Sequence, residues 1–198
     1  MSIITNLEIL PYETREKISK DLEIKIQNKF NPSQVKYLHP FSVVEDDIKL
    51  PFAYAVQILN LKRRERSEFS STKIVFNTSL REEQIEVERE AITRLSAKGS
   101  IMISCATGFG KTAMSIKLST TIKMKTLVIV NKIVLIPQWE GSIKKFCPGA
   151  TIQCLSPKSI LEDVDYYIIN AQNIEKMGKN FFKNIGLCIV DEVHLIMA

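Results

Sequence analysis

The chain has 198 residues, enough for one medium domain or for a small domain joined to part of another. Hydrophobic residues make up 45% and charged residues 25%, values that exclude disorder, and seven glycines and seven prolines exclude collagen-like or linker-like character. Lys and Arg total 27 against 22 Asp and Glu, a formal charge of +5 that is only weak support for a nucleic-acid partner. No apolar run has the length of a membrane span, and the N-terminus lacks the basic start of a signal peptide, so an intracellular setting and no membrane partner are expected. Cys105, Cys147, Cys154 and Cys188 show no C-x-x-C spacing and are read as four buried thiols of a reducing compartment.

In chain order, Tyr12 to Lys20 reads as a helix after Pro11, and the alternation in Leu22 to Ile26 reads as a strand. Phe52 to Arg66 reads as a second helix after Pro51. Its basic end, Lys62, Arg63, Arg64 and Arg66, fits either a solvated helix C-terminus or a phosphate-backbone patch. Lys73 to Phe76 is a short β-branched run. The pattern changes near residue 78. Residues 1–78 are therefore expected to form a small α+β accessory domain, and residues 79–198 a separate α/β domain. Charge does not separate the two, with 12 basic and 10 acidic side chains in the first and 15 and 12 in the second.

Ser79 and Glu82 predict a capping box, and Ile85, Ala91, Ile92 and Leu95 give the following helix one apolar face that Gly99 can end. Strands are predicted at Ser100–Cys105, Thr126–Asn131, Thr151–Leu155, Tyr166–Asn170 and Leu187–Val190, with helical segments between most of them. Continuous apolar runs such as L-V-I-V and L-C-I-V suit a parallel sheet covered on both faces.

Ser104–Thr112 reads S-C-A-T-G-F-G-K-T, in the strand-to-helix setting of a phosphate-binding loop. Gly108 and Gly110 allow a turn in which successive N–H groups converge on phosphate oxygens, with Ala106, Thr107 and Phe109 completing the cradle. Lys111 supplies a charge for the β- and γ-phosphates, and the Thr112 hydroxyl is a natural Mg²⁺ ligand. Cys105 stands where G-x-x-x-x-G-K-[ST] has Gly, so the loop is a variant that matches an A-x-T-G-x-G-K-T form better. Asp191-Glu192-Val193-His194 follows the last apolar strand. Asp191 can hold Mg²⁺, Glu192 can orient and deprotonate an attacking water, and His194 can sense the γ-phosphate.

These motifs together make the chain resemble the first motor domain of superfamily 2 helicases. It is most similar to the DNA helicases of the xeroderma pigmentosum B type and their relatives in large DNA viruses. L-R-E-E-Q at Leu80–Gln84 matches that family's L-R-x-x-Q. T-L-V-I-V-N-K-I-V-L-I-P-Q-W-E with Phe146 downstream is similar to its first nucleic-acid-contact motif. D-E-V-H-L-I-M-A at Asp191–Ala198 resembles its DEAD/DEAH-box-like motif. The resemblance covers residues 79–198 and implies a P-loop, RecA-like parallel sheet that uses ATP and Mg²⁺. It implies that Arg81 and Gln84 read adenine, and that Asn131, Lys132 and Gln138 touch nucleic acid, DNA before RNA. Asn131-Lys132 departs from the Pro-Thr of many members, and Trp139 reads as a packing residue. Seven lysines against one acid, Glu140, between residues 99 and 149 suit phosphate contact.

The family also implies a further strand and a second motor domain, in cis or trans, bearing an arginine finger. The sheet is therefore expected to be incomplete, and the chain to be a fragment or a natural short protein with little or no activity alone. It further implies a virus-encoded protein acting in host cytoplasm, nucleus or virion. The function read is the N-terminal part of an ATP-dependent helicase or translocase. The alternative is a non-catalytic nucleotide- and nucleic-acid-binding module. A P-loop small-molecule kinase fits less well, having no use for L-R-x-x-Q or the Q-W segment.

Overall fold

The computed structural model describes residues 2–27, 35–62 and 65–196, without the side chain of Lys179. The chain divides into two compact units, 1–63 and 64–198.

In the first unit, β1 (Ser2–Asn6), β4 (Ser42–Val44) and β5 (Asp47–Pro51) form an antiparallel sheet in the order β1-β5-β4, and β2 (Ile24–Gln27) pairs antiparallel with β3 (Val35–Leu38). Pro11 and Pro51 precede α1 (Tyr12–Asp21) and α2 (Phe52–Ile58), where a missing N–H and a preset φ cost nothing. Alternate residues of β5, Ile48 and Leu50, meet Ile18 and Ala55 of the two helices to form the core. Helix α2 ends at Ile58, eight residues short of the expected Arg66, where Asn60 takes φ 48°. The basic cluster is therefore not its last turn. Arg63 and Arg64 lie outside the described residues, and Arg66 opens a separate 3-10 turn, its guanidinium donating to the Ile122 carbonyl.

The second unit is a parallel sheet in the order β7-β8-β6-β9, formed by β6 (Thr126–Val130), β7 (Ile152–Leu155), β8 (Tyr166–Asn170) and β9 (Leu187–Val190). Its strands fall within a residue or two of their expected places. Period-two alternation splits β6 and β8 between two cores. Val128, Val130, Tyr166 and Ile168 pack on Ile116 of α4 (Lys111–Ile122) and on Trp139 and Ile143 of α5 (Leu135–Phe146). Leu127, Ile129, Tyr167 and Ile169 face Phe181 and Val164 on the opposite side. Every residue of β6 and β8 is buried, as two covered faces require.

Three expectations need correction. Ser100–Cys105 is not a strand: Ile101 and Ile103 turn inward onto α3 (Glu82–Lys98) and α4, but no strand among the described residues lies beside the segment to give it a ladder. Lys73–Phe76 likewise makes no ladder. Only Ser71 bridges to Met124, while Ile74 and Phe76 pack into the α5-side core. That packing, with the Thr72 N–H donating to the Lys123 carbonyl and the Asn77 N–H to that of Phe146, ties residues 65–78 to the second unit. By their contacts, residues 65–78 thus belong with the second unit, 64–198. Finally, Cys147 is buried, but Cys154 on edge strand β7 is exposed, and Cys105 and Cys188 are half-buried.

Candidate nucleotide and metal site

Helix α3 begins at Glu82, later than a Ser79 box would place it, because the side chain that closes its N-terminus is Gln84. Its Oε1 accepts from the Arg81 backbone N–H at 2.9 Å. At the other end Gly99 caps the helix at φ 73°. Ile85 points outward, 46% exposed, whereas Gln84 is 4% exposed. A buried amide must satisfy both of its ends. Gln84 does so by donating from Nε2 to the carbonyl of Phe109, in the glycine-rich loop, at 2.6 Å. The Arg81 guanidinium donates to the same carbonyl and to that of Gly108 at 3.2 Å, and lies over the Phe109 ring at 6.0 Å.

Two of the loop's carbonyls, those of Gly108 and Phe109, are thereby fastened to Arg81 and Gln84 at the start of α3. Gly108 and Gly110 adopt φ 83° and 91°, a region costly for any residue with a Cβ. At Gly110 a Cβ would also stand 2.6 Å from Gln84 Nε2. Helix α4 starts directly after, at Lys111, so its unpaired N–H groups open onto the loop. Lys111 folds back, with Nζ donating to the Cys105 carbonyl at 3.2 Å. The hydroxyl of Thr112 makes no hydrogen bond among the described residues.

The acidic motif sits at the C-terminal tip of β9. The Asp191 N–H donates to the Ile129 carbonyl at 2.9 Å, which places Asp191 beside the end of β6 where Asn131 emerges. One carboxylate oxygen of Asp191, Oδ2, accepts from Trp139 Nε1 at 2.8 Å. Glu192 holds φ 48°, a strained conformation for a residue with a long side chain. Its carboxylate is 3.5 Å from His194 Nδ1, and both side chains face solvent at the start of α6 (Val193–Ile196). No hydrogen bond or ion pair joins Lys111 or Thr112 to Asp191 or Glu192 among the described residues.

Asn131 and Lys132 follow the tip of β6, and Gln138 lies on the exposed side of α5. Asn131 Oδ1 is buried without a hydrogen-bond partner. The basic stretch is less free than its composition suggests: Lys117 pairs with Glu88, Lys125 with Asp163 and Lys144 with Glu140. Lys132 carries no ion pair among the described residues.

Three features escaped the sequence reading: the Gln84–Phe109 bond, the Trp139–Asp191 bond and the strain at Glu192. A buried tryptophan signals that an acceptor is needed. Nothing in the sequence says which acceptor lies 52 residues away.

Residues 77–198 match the family described as Type III restriction enzyme, res subunit. "Putative helicase 161L" of Invertebrate iridescent virus 6 is 37% identical over 205 residues, covering 100% of this chain and 46% of the viral protein. "Putative helicase 109L" of Invertebrate iridescent virus 3 is 35% identical over 203 residues, covering 92% of this chain and 62% of its own length. The chain thus spans roughly half of these relatives. A solved structure, the SWI2/SNF2 ATPase core of Sulfolobus solfataricus in complex with dsDNA, aligns with 62% of this chain and 33% of its own, at 20% identity and a TM-score of 0.46.

Proposed function

The chain belongs to the Type III restriction enzyme res subunit family, as a superfamily 2 helicase motor domain, and from that membership we propose that it is the N-terminal part of an ATP-dependent nucleic-acid helicase or translocase. The carrying observation is the loop: two glycines at positive φ, carbonyls turned away toward Arg81 and Gln84, and a helix opening at Lys111. That arrangement leaves N–H groups and an ammonium to face an anion, which suits a nucleoside triphosphate.

The donor set fits Mg²⁺. The Thr112 hydroxyl and Asp191 Oδ1 are hard oxygens without hydrogen bonds among the described residues, and these two would hold the cation. Bound there, Mg²⁺ would neutralise charge on the β- and γ-phosphate oxygens. Lys111 would leave the Cys105 carbonyl for phosphate. In this reading Glu192 orients and deprotonates the attacking water, and His194, paired to it, senses the γ-phosphate. Arg81 and Gln84 are proposed adenine contacts, although Gln84 must release at least one of its present partners to serve.

Asn131, Lys132 and Gln138 are proposed to touch nucleic acid, DNA before RNA. Lys132 and Gln138 are supported by their exposure, and Asn131 only by its place between the tip of β6 and Lys132. We also assign the N-terminal unit an accessory role, the motor a second domain in cis or trans, and the chain a viral origin, the last supported by its viral relatives.

Calorimetry with MgATP tests the site. Lys111→Ala should weaken binding about tenfold or more, the loss expected for a hydrogen bond to a charged group. Equal affinity in wild type and variant would refute the proposal. Binding with no turnover, with or without nucleic acid, would identify a non-catalytic module instead.

A further inference from the structure

Trp139 is the only tryptophan in the chain, and at 3% exposed it is among the most buried side chains. It is wedged among Ile74, Val128, Val130, Ile143 and Ile168. Close packing of that kind holds a buried ring in one orientation. Its polar edge is thereby aimed in one fixed direction, and a buried indole N–H left unpaired is costly. It finds Asp191 Oδ2 at 2.8 Å.

Asp191 is consequently held at two points. Its backbone N–H is bound to the Ile129 carbonyl at 2.9 Å, and its carboxylate is bound at Oδ2. The remaining oxygen, Oδ1, accepts no hydrogen bond among the described residues. The choice of donor matters chemically. Lysine or arginine at this place would cancel the charge that a dication needs. An indole orients the carboxylate and, being neutral, leaves that charge intact.

We propose that Trp139 is a positioning residue that locks Asp191 by its Oδ2 so that Oδ1 remains available to Mg²⁺ or its bound water. This rests on the MgATP reading of the site. In metal sites, partners of this kind change metal affinity or activity by about 10–100-fold when removed.

The test uses the 198-residue chain with ADP, titrated in EDTA and in Mg²⁺, for wild type and Trp139→Phe. Phenylalanine keeps most of the ring and removes the N–H. The metal-free affinity should be unchanged, and the gain in affinity from Mg²⁺ should fall by about tenfold. A residue that only packs would lower the melting temperature and leave the Mg²⁺ gain intact, which would overturn the proposal. If wild type binds no ADP with or without Mg²⁺, the nucleotide reading fails, and a second measurement still decides the role of Trp139. Because the chain has one tryptophan, its emission reports this contact directly. Asp191→Ala removes the charged acceptor and should shift the emission to shorter wavelength. Mg²⁺ alone should also perturb the wild-type emission and leave that of Asp191→Ala unchanged. Identical spectra for wild type and Asp191→Ala, or a Mg²⁺ response that survives in the variant, would overturn the proposal even if Trp139→Phe does not fold.

Discussion

Replacing Gln84 by alanine removes two contacts at once. The first is the acceptor for the Arg81 N–H at the start of α3. Loss of such a cap costs about 1 kcal/mol. The second is the donor to the Phe109 carbonyl, a group that keeps Arg81 as a partner and so is not stranded. Its loss costs about 1 kcal/mol more. The sum, about 2 kcal/mol, should lower the melting temperature by about 4–8 °C for a chain of this length. Gln84→Glu separates the two contacts. A carboxylate can still accept from Arg81 but sets an acceptor against the Phe109 carbonyl, so this variant should be no more stable than Gln84→Ala at neutral pH. Protonation would restore a donor, and the variant should recover stability as the pH falls toward the carboxylic range. Circular-dichroism melts of the ligand-free chain provide the assay. If both variants melt within about 1 °C of wild type, the amide does not fasten the loop, and the reasoning from these two bonds is refuted.

A side chain at Gly186 would place its Cβ 2.6–3.0 Å from the Sδ, Cβ and Cγ atoms of Met124, so Gly186→Ala should cost about 1–3 kcal/mol, readable as a lower urea midpoint. Burial pushes the Cys188 thiol up to about 11, from an ordinary value near 9. The raised value favours the neutral thiol in the folded state, so this stability is complete below about pH 9 and is lost toward pH 11, by about 2–3 kcal/mol; the midpoint of Cys188→Ala should fall less over that interval, and parallel pH profiles would contradict the claim. Glu192→Gly should relieve about 1–2 kcal/mol of left-handed strain against about 0.5–1 kcal/mol of added chain entropy, so the melting temperature should hold or rise slightly; a loss of more than about 1 kcal/mol, beyond what that entropy explains, would show that the φ of 48° carries no strain.

The parallel sheet was readable because each strand carries its own signal. The run of Leu127–Val130 is apolar at every position, the pattern of a short strand covered on both faces, and β6 is buried along its whole length. The two antiparallel sheets of the first unit were mostly missed. β3 and β4 are short and exposed along their whole length, so they carry no burial pattern to detect. Ser100–Cys105 shows the opposite failure. Ile101 and Ile103 give it a strand's alternation, and half of its side chains do turn inward. A strand, however, is defined by its ladder, and alternation in one segment says nothing about whether a neighbour lies alongside.

The site divides in the same way. The glycine-rich loop and the Asp191–His194 stretch were legible as motifs because the residues of each lie in one short segment, where spacing alone sets which groups are neighbours. The contacts that fasten those stretches join distant residues. Gln84 reaches Phe109 across 25 positions, and Trp139 reaches Asp191 across 52. The family resemblance implied a Gln84 amide offered to a base, but the fold buries it and engages both ends. Trp139 was read as a packing residue, which is correct for the ring and silent about its N–H. In both cases the physics left out was the same. A buried polar atom has to be satisfied, and which partner satisfies it depends on which elements the core brings together. The residues that hold a site in shape are thus harder to read than the residues that perform its chemistry, and they are found by asking of each buried donor where its bond goes.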